Sequence, residues 1–322
     1  MTAVSQGVPA AHAAGTPAAP PAPPPHSPPS ATAAPAPAHR VRGALAALGL
    51  VPFAAYVLAF LALPTALAVG SGFVDADGGL TAHNLSALAD PVVLRTFGAS
   101  LWLSALSAVV GALLGAAICY ALLGLRPGHP ARSVVEAASS VLAQFGGVML
   151  AFAFIATIGL QGLVTLWLKD GLGIDIFAGG AWIYALPGLI APYIYFQTPL
   201  MVITFLPALT GLQTQWYEAA LTLGDTRAGF WRHVGLPVLA PSFLASLLLL
   251  FANAFSSFAT AAALASQGAQ IVPLQIRAAL VSETVLGRQN LAGALALGMV
   301  VVMAAVMWLY SRAARRAARW RR

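Results

Sequence analysis

Charged residues along this chain are spaced so that long apolar stretches lie between them. Runs free of charge separate Arg42 from Asp75, Arg95 from Arg126, Glu136 from Lys169, Asp175 from Glu218, Arg232 from Arg277 and Arg288 from Arg312, the shortest 23 residues long. About 20 apolar residues in helical conformation cross a ~30 Å hydrocarbon core. Lipid gives backbone groups no partner, so spanning segments are helices or closed barrels, and runs this continuous select helices. Two runs exceed one crossing. Pro187, Pro192, Pro199 and Pro207 punctuate the fourth, and Pro237 and Pro241 stand early in the fifth. The pattern predicts an all-α polytopic membrane protein with six transmembrane helices near 44–70, 98–124, 135–159, 183–205, 241–265 and 290–312. The core thus extends over 42–312, between an Ala/Pro-rich segment 1–41 and a basic tail 313–322.

Composition agrees with this pattern. Hydrophobic residues make up 59% of the chain and charged ones 8%, against roughly 25% charged in soluble domains. The Ala/Pro-rich segment 1–41 cannot build a core, because proline removes donors and little else there is apolar enough to pack, so a disordered tail is expected. It lacks the charged start and apolar stretch of a signal peptide, and no cleavage is expected.

Charge sets the expected orientation. With both termini inside, the cytoplasmic segments carry twelve basic residues, among them Arg126, Arg132, Arg227, Arg232 and six arginines from Arg312 to Arg322, against three acidic ones, Glu136, Glu218 and Asp225. The outside segments carry four basic and six acidic residues. This is the positive-inside bias, and it assigns the basic balance to topology and anionic headgroups rather than nucleic acid. Cys119 stands alone and excludes an intrachain disulfide. The histidines are scattered without ligand spacing, so no metal site is expected.

The segment between the fourth and fifth helices, 214–237, is cytoplasmic by charge yet rich in Trp, Tyr, Phe and Leu. It reads as two short helices. Thr214 is placed to cap the first, with Glu218 near its positive end. Gly224 suits the left-handed residue that ends a helix, Asp225 or Thr226 suits the next cap, and Leu236-Pro237 is expected to stop the second helix before the span begins. Leu221, Leu223, Phe230, Trp231 and Val234 supply apolar area that a solvated loop does not leave uncovered. Either a partner covers it or the loop folds on its own helices.

Glu218-Ala219-Ala220, then Gly224, Val234 and Leu236-Pro237, at these spacings, resemble the EAA loop of binding-protein-dependent ABC importer permeases. The resemblance extends over roughly 95–312 and includes Pro199-Leu200-Met201 before the loop. It implies a type I ABC importer permease fold, in which this loop docks in a groove of a separate ATPase subunit. Glu218 would pair there with a basic residue, Ala219 and Ala220 would allow close contact, and Gly224 would make the bend. Asp225 and Gly235 fall where the family often has a small and a larger apolar residue, respectively. The chain has no Walker A sequence, and its single lysine, Lys169, lacks the glycine frame that cradles phosphate. ATP and Mg are therefore expected on the partner ATPase and no cofactor on this chain, which is not expected to be an enzyme.

Asn253, Ser256, Ser257 and Thr260 recur at i, i+3, i+4 and i+7 of the expected fifth helix, one face, with Gln197 and Thr198 on the fourth as further candidates. A polar stripe in lipid faces protein or water, so it lines a substrate pathway or bonds between helices. Ser133 and Glu136 fit a capping box opening the third helix. Trp102, Trp182, Trp308 and Tyr310 fall near expected interfaces, as aromatic belts do. An ion-driven secondary transporter would place ionisable residues at mid-membrane, and none falls in the six expected cores.

The resemblance implies alternating access in a bacterial cytoplasmic (inner) membrane. The chain would form half of the pathway in a homo- or heterodimer with a second permease subunit. An extracytoplasmic solute-binding protein would deliver solute to the outside segments 71–97 and 267–289. The stretch from Ala252-Asn253-Ala254-Phe255 to Ile271-Val272-Pro273-Leu274 is similar to spermidine/putrescine permeases, whose relatives include iron and thiamine importers. Polyamine is the first expectation for the cargo, with iron(III), thiamine or another small solute as alternatives.

Overall fold

The computed structural model describes residues 50–74, 79, 81, 83–126, 128–265, 271–281 and 289–319. Contacts divide the chain into Met1–Val57 and Leu58–Arg322. Of the first unit only the helical residues 50–57 are described. The 1–41 tail, residues 267–270 and 282–288 of the outside segment 267–289, and residues 320–322 of the 313–322 tail therefore lie outside the described residues. All described elements of the second unit that carry the fold are helical, and six helical segments are long and apolar enough to cross a membrane.

The first of these, α1, is Leu50–Phe73. The second, α2 (Pro91–Leu123), is longer than expected and starts earlier. Asp90 caps it by accepting the Val92 amide at 2.7 Å, and Pro91 sits where its missing N–H costs nothing. Small residues give α2 a flat inner stripe through Ser100, Ser104, Ala108, Gly111, Gly115 and Cys119, all buried. That stripe packs on α6 (Ile190–Thr210). A Cβ on Gly111 would lie 2.6 Å from the Gln197 Cβ, and one on Gly115 would lie 2.5 Å from the Met201 Cβ. This is the close approach that Gly-x-x-x-Gly permits in membranes.

The third segment departs from expectation. Instead of one helix over 135–159, the chain forms α3 (Pro130–Gln144), breaks at Phe145–Gly146, and restarts as α4 (Gly147–Ile158). Gly147 takes φ +69°, a conformation glycine adopts without strain, and two adjacent glycines let the chain turn there. After Gly159–Gly162 it continues as α5 (Leu163–Leu172), so the apolar span is Gly147–Leu172. The capping box is also corrected. The helix opens at Pro130, where His129 Nδ1 accepts the Ala131 amide at 3.2 Å, and Glu136 instead pairs with Arg132 at 2.9 Å. The proline fixes the start three residues before Ser133. Lys169 falls in the last turn of α5 and meets Asp175 at 3.2 Å. The Phe177 amide, then Lys169, hold the Asp175 carboxyl below its usual range.

The fifth span combines a short helix α8 (Arg227–Phe230), a π-turn Trp231–Gly235 and α9 (Leu236–Ser256). Leu236-Pro237 therefore does not end the loop's second helix. Pro237 occupies the first turn of α9, where a donor is dispensable, and the wider π-turn carries the chain into it. α9 ends at Ser256, and after Ser257–Phe258 the chain forms α10 (Ala259–Leu264). α11 (Val272–Val281) opens with its Val272 amide donating to the Ser100 hydroxyl of α2 at 2.8 Å. The last helix, α12 (Gln289–Arg319), meets the end of α1 through backbone contact of Gly293 with Gly72.

Two buried clusters fill the bundle. One joins Leu150, Ile183, Leu189, Tyr193, Phe196, Ala261 and Leu264; the other, flanking the 214–237 loop, joins Cys119, Met201, Phe205, Leu209, Leu239 and Leu250.

Candidate coupling loop and pathway residues

The loop after α6 opens with α7 (Thr214–Thr222). Its cap position is Gln213, not Thr214, and no side chain caps it, because Thr214 has already joined the helix. Glu218 and Ala219 are exposed and Ala220 is half-buried. The end of α7 is closed on both sides of Gly224, which takes φ +83°. The Asp225 amide donates to the Ala220 carbonyl at 3.0 Å and the Gly224 amide to Leu221 at 3.0 Å, which satisfies carbonyls a helix end leaves free.

Thr226 caps α8, its hydroxyl accepting the Gly229 amide at 3.0 Å. Asp225 takes the Thr226 amide at 2.8 Å and approaches His233 at 3.5 Å. A side chain on Gly229 would collide with the Asp225 carboxylate. The bend between α7 and α8 is thus fixed by a left-handed glycine, a capping threonine and an aspartate turned inward.

The loop's apolar residues divide into two sets. Tyr217 packs edge-on against Phe230, with centroids 5.2 Å apart, Phe230 against Trp231 at 5.8 Å, and Trp231 against Tyr120 of α2 at 5.5 Å. Phe230 is buried. Trp216, Leu221 and Leu223 stay exposed, Leu223 at 87%. The loop therefore folds on its own helices through one set and leaves the other bare. Val234 is half-buried, while Leu236 and Pro237 are exposed on the first turn of α9.

The polar stripe is not a single face. The break at Ser257 separates Asn253 and Ser256 on α9 from Thr260 on α10. Asn253 and Ser256 are exposed, Ser257 is half-buried and Thr260 is buried. Ser256 donates to the Ala252 carbonyl at 2.9 Å, as serine in a helix commonly does. The Ser257 carbonyl, freed by the break, accepts the Tyr193 hydroxyl at 3.0 Å. Gln197 is fully buried and donates to the Leu250 carbonyl at 2.6 Å, tying α6 to α9. Thr198 is satisfied by Ile194 within its own helix at 2.9 Å. No break was expected here, since neither Gly nor Pro marks it. The Tyr120–Trp231 contact was also missed, although the Gly111 and Gly115 spacing on α2 was readable.

The sequence profile described as "Binding-protein-dependent transport system inner membrane component" matches residues 148–319, more than half of the chain. Among curated relatives, a probable molybdenum ABC transporter permease protein of Haloferax volcanii is 30% identical over 36% of this chain and 43% of its own. The spermidine/putrescine transport system permease protein PotB of Haemophilus influenzae is 24% identical over 80% of this chain and 90% of its own. A probable sulfate transport system permease protein cysT of Zygnema circumcarinatum is 26% identical over 56% and 59%. This chain thus spans under half of the first, under two thirds of the third, and nearly all of PotB. Among solved structures, a bacterial ABC transporter importing the acidic polysaccharide alginate shares the fold at a TM-score of 0.71 and 18% identity, over 87% of this chain and 98% of that one. The MetNI methionine ABC transporter does so at 0.53 and 18%, over 70% and 95%. The profile match over more than half of its length places this chain, a multi-pass membrane protein, in the family of binding-protein-dependent transport system inner membrane components, the permease subunits of ABC importers.

Proposed function

We propose that the chain forms half of an importer's translocation pathway and receives force from a separate ATPase through the 214–237 loop. The observation that carries this reading is the surface of α7. Glu218, Ala219, Trp216 and Leu221 on α7, and Leu223 just after it, are exposed, and the helix end is pinned by Gly224 and Thr226. A bare apolar face next to a carboxylate suits a protein groove with a basic residue. Ala219 and Ala220 allow that partner's close approach, and Val234, Leu236 and Pro237 carry the loop into α9.

Orientation follows from arginine placement: the termini and this loop face the cytoplasm of a bacterial inner membrane. ATP and Mg reside on the ATPase subunit. A second permease, identical or related, completes the pathway, and an extracytoplasmic binding protein supplies solute. Asn253 and Ser256 are exposed on α9, where they can meet that pathway, while Ser257, Thr260 and Gln197 shape it from within the bundle. Polyamine is the favoured cargo, since PotB matches over nearly its whole length. Uptake of labelled putrescine into proteoliposomes holding the complete importer is the expected result; uptake of sulfate or molybdate instead would assign the cargo to the oxyanion class of the other relatives.

The test of coupling is Glu218→Arg. Reversing that charge opposite a basic groove is expected to abolish co-purification of the ATPase subunit and solute-stimulated ATP hydrolysis. Wild-type levels of both would sink the assignment.

A further inference from the structure

Behind the 214–237 loop, a run of ring contacts reaches a second membrane helix. We infer that Trp231 and Tyr120 form a relay that passes the motion of α7 to α2, so that the second span, and not only the fifth that follows the loop in sequence, is driven by ATP. This inference rests on the coupling reading of the 214–237 loop.

Four observations carry it. First, the contact is continuous: Tyr217 on α7, Phe230 on α8, Trp231 in the π-turn and Tyr120 on α2 are in ring contact at 5.2, 5.8 and 5.5 Å. Edge-on rings resist sliding past one another better than methyl groups of similar area, because their edge-to-face attraction is directional. Second, Trp231 is held from behind. Gly235 is buried, and a Cβ there would lie 2.6 Å from the Trp231 ring. The ring therefore lies directly on the Gly235 backbone, inside the same π-turn.

Third, the two relay rings border a groove on the other side. Trp231 and Tyr120 line an apolar groove of about 540 Å³ between α2, α6 and α9, with Phe205, Leu209 and Phe243 among its walls. The Trp231 ring thus lies between the Gly235 backbone and this groove. Fourth, α2 is built to transmit. Below Tyr120 its small-residue stripe lies against α6 without side-chain cushioning, at Gly115 and Gly111, and Gln197 then ties α6 to α9. Closely packed elements shift as bodies rather than deform. Displacing Tyr120 would therefore displace α2 and α6 together. Trp231 and Tyr120 are positioning residues in this scheme: neither is placed on the face offered to the ATPase.

The test uses the complete importer with its ATPase subunit in nanodiscs. A nitroxide is attached at Leu123→Cys, a partly exposed site on the last turn of α2, in a Cys119→Ser background. Trapping with ATP and vanadate is expected to change the nitroxide spectrum of this probe. In Tyr120→Leu, which alters no residue of the loop, the ATPase subunit should still co-purify while most of the spectral change is lost. Trp231→Ala should lose the change too, and Trp231→Phe, which keeps a ring in place, should restore it. A purely structural role would lower yield or thermal stability without this rescue. An undiminished spectral change in Tyr120→Leu overturns the relay, as does failure of Trp231→Phe to restore what Trp231→Ala loses. Glu218→Arg separates the two claims: if it keeps both co-purification and the spectral change, the coupling reading itself fails; if it loses both while Tyr120→Leu is normal, only the relay fails.

Discussion

Gly235 stands where the resemblance leads one to expect a larger apolar residue, and the structure gives the reason for the departure. The Trp231 ring occupies the space a side chain at 235 would fill. Gly235→Val therefore forces the ring off its seat, an overpacking that costs about 1–3 kcal/mol. Because the two residues share one volume, Trp231→Ala combined with Gly235→Val should recover part of the loss, a non-additivity expected of contacting sites. Thermal denaturation of the purified permease in detergent reads both. Additive losses would show that the two do not share that space. Asp225, the other departure, turns inward to the Thr226 amide and His233 rather than towards a partner. At this scale residue identities were legible but their directions were not. Phe230 and Leu223 look equally exposed in a sequence, yet one is buried against Tyr217 and the other is bare. Only the fold tells them apart.

The helices themselves show which signals a sequence carries. Apolar length locates six spans because the cost of charge in hydrocarbon is large and local. Breaks within spans are less visible. Gly146 and Gly147 interrupt the helix expected over 135–159, and a left-handed glycine is one of several things a Gly pair can mean. The break after Ser256 has no local marker at all; it is stabilised by a tyrosine 64 positions away, at Tyr193. The expected polar stripe failed for that reason, since it assumed an unbroken helix. The α2–α6 contact is the opposite case, where Gly111 and Gly115 are a readable pair. Gly115→Leu would drive a side chain into Met201 and the Thr198 carbonyl, and α2 must then separate from α6. A loss of folded yield and a lower melting temperature are expected, with Leu113→Ala, on the groove-facing side of the same helix, far milder. Equal tolerance of the two would remove the Gly pair from the account of packing.

For the whole molecule, the bundle is, on the proposed reading, a converter with two ends. The loop end offers Trp216, Leu221 and Leu223 beside Glu218, and behind it the Phe230–Trp231 rings lead into the bundle. Residues that do covalent chemistry are not needed for this role; a rigid body and a docking face are. Family membership was expected from the spacing of Glu218, Ala219, Ala220 and Gly224, and the profile match over 148–319 supports it. Cargo was not legible in the same way, since relatives of similar identity carry different names. The central claim is that α7 docks on a separate ATPase. Its most direct measurement is cross-linking from Leu223→Cys in the assembled importer, where the native Cys119 is buried and silent. A short bifunctional maleimide is expected to join the permease to a cysteine in the ATPase groove, and Glu218→Arg should abolish that product. A probe at Leu223 that remains free for labelling in the intact, ATP-hydrolysing complex, with no cross-link in any nucleotide state, would contradict the account.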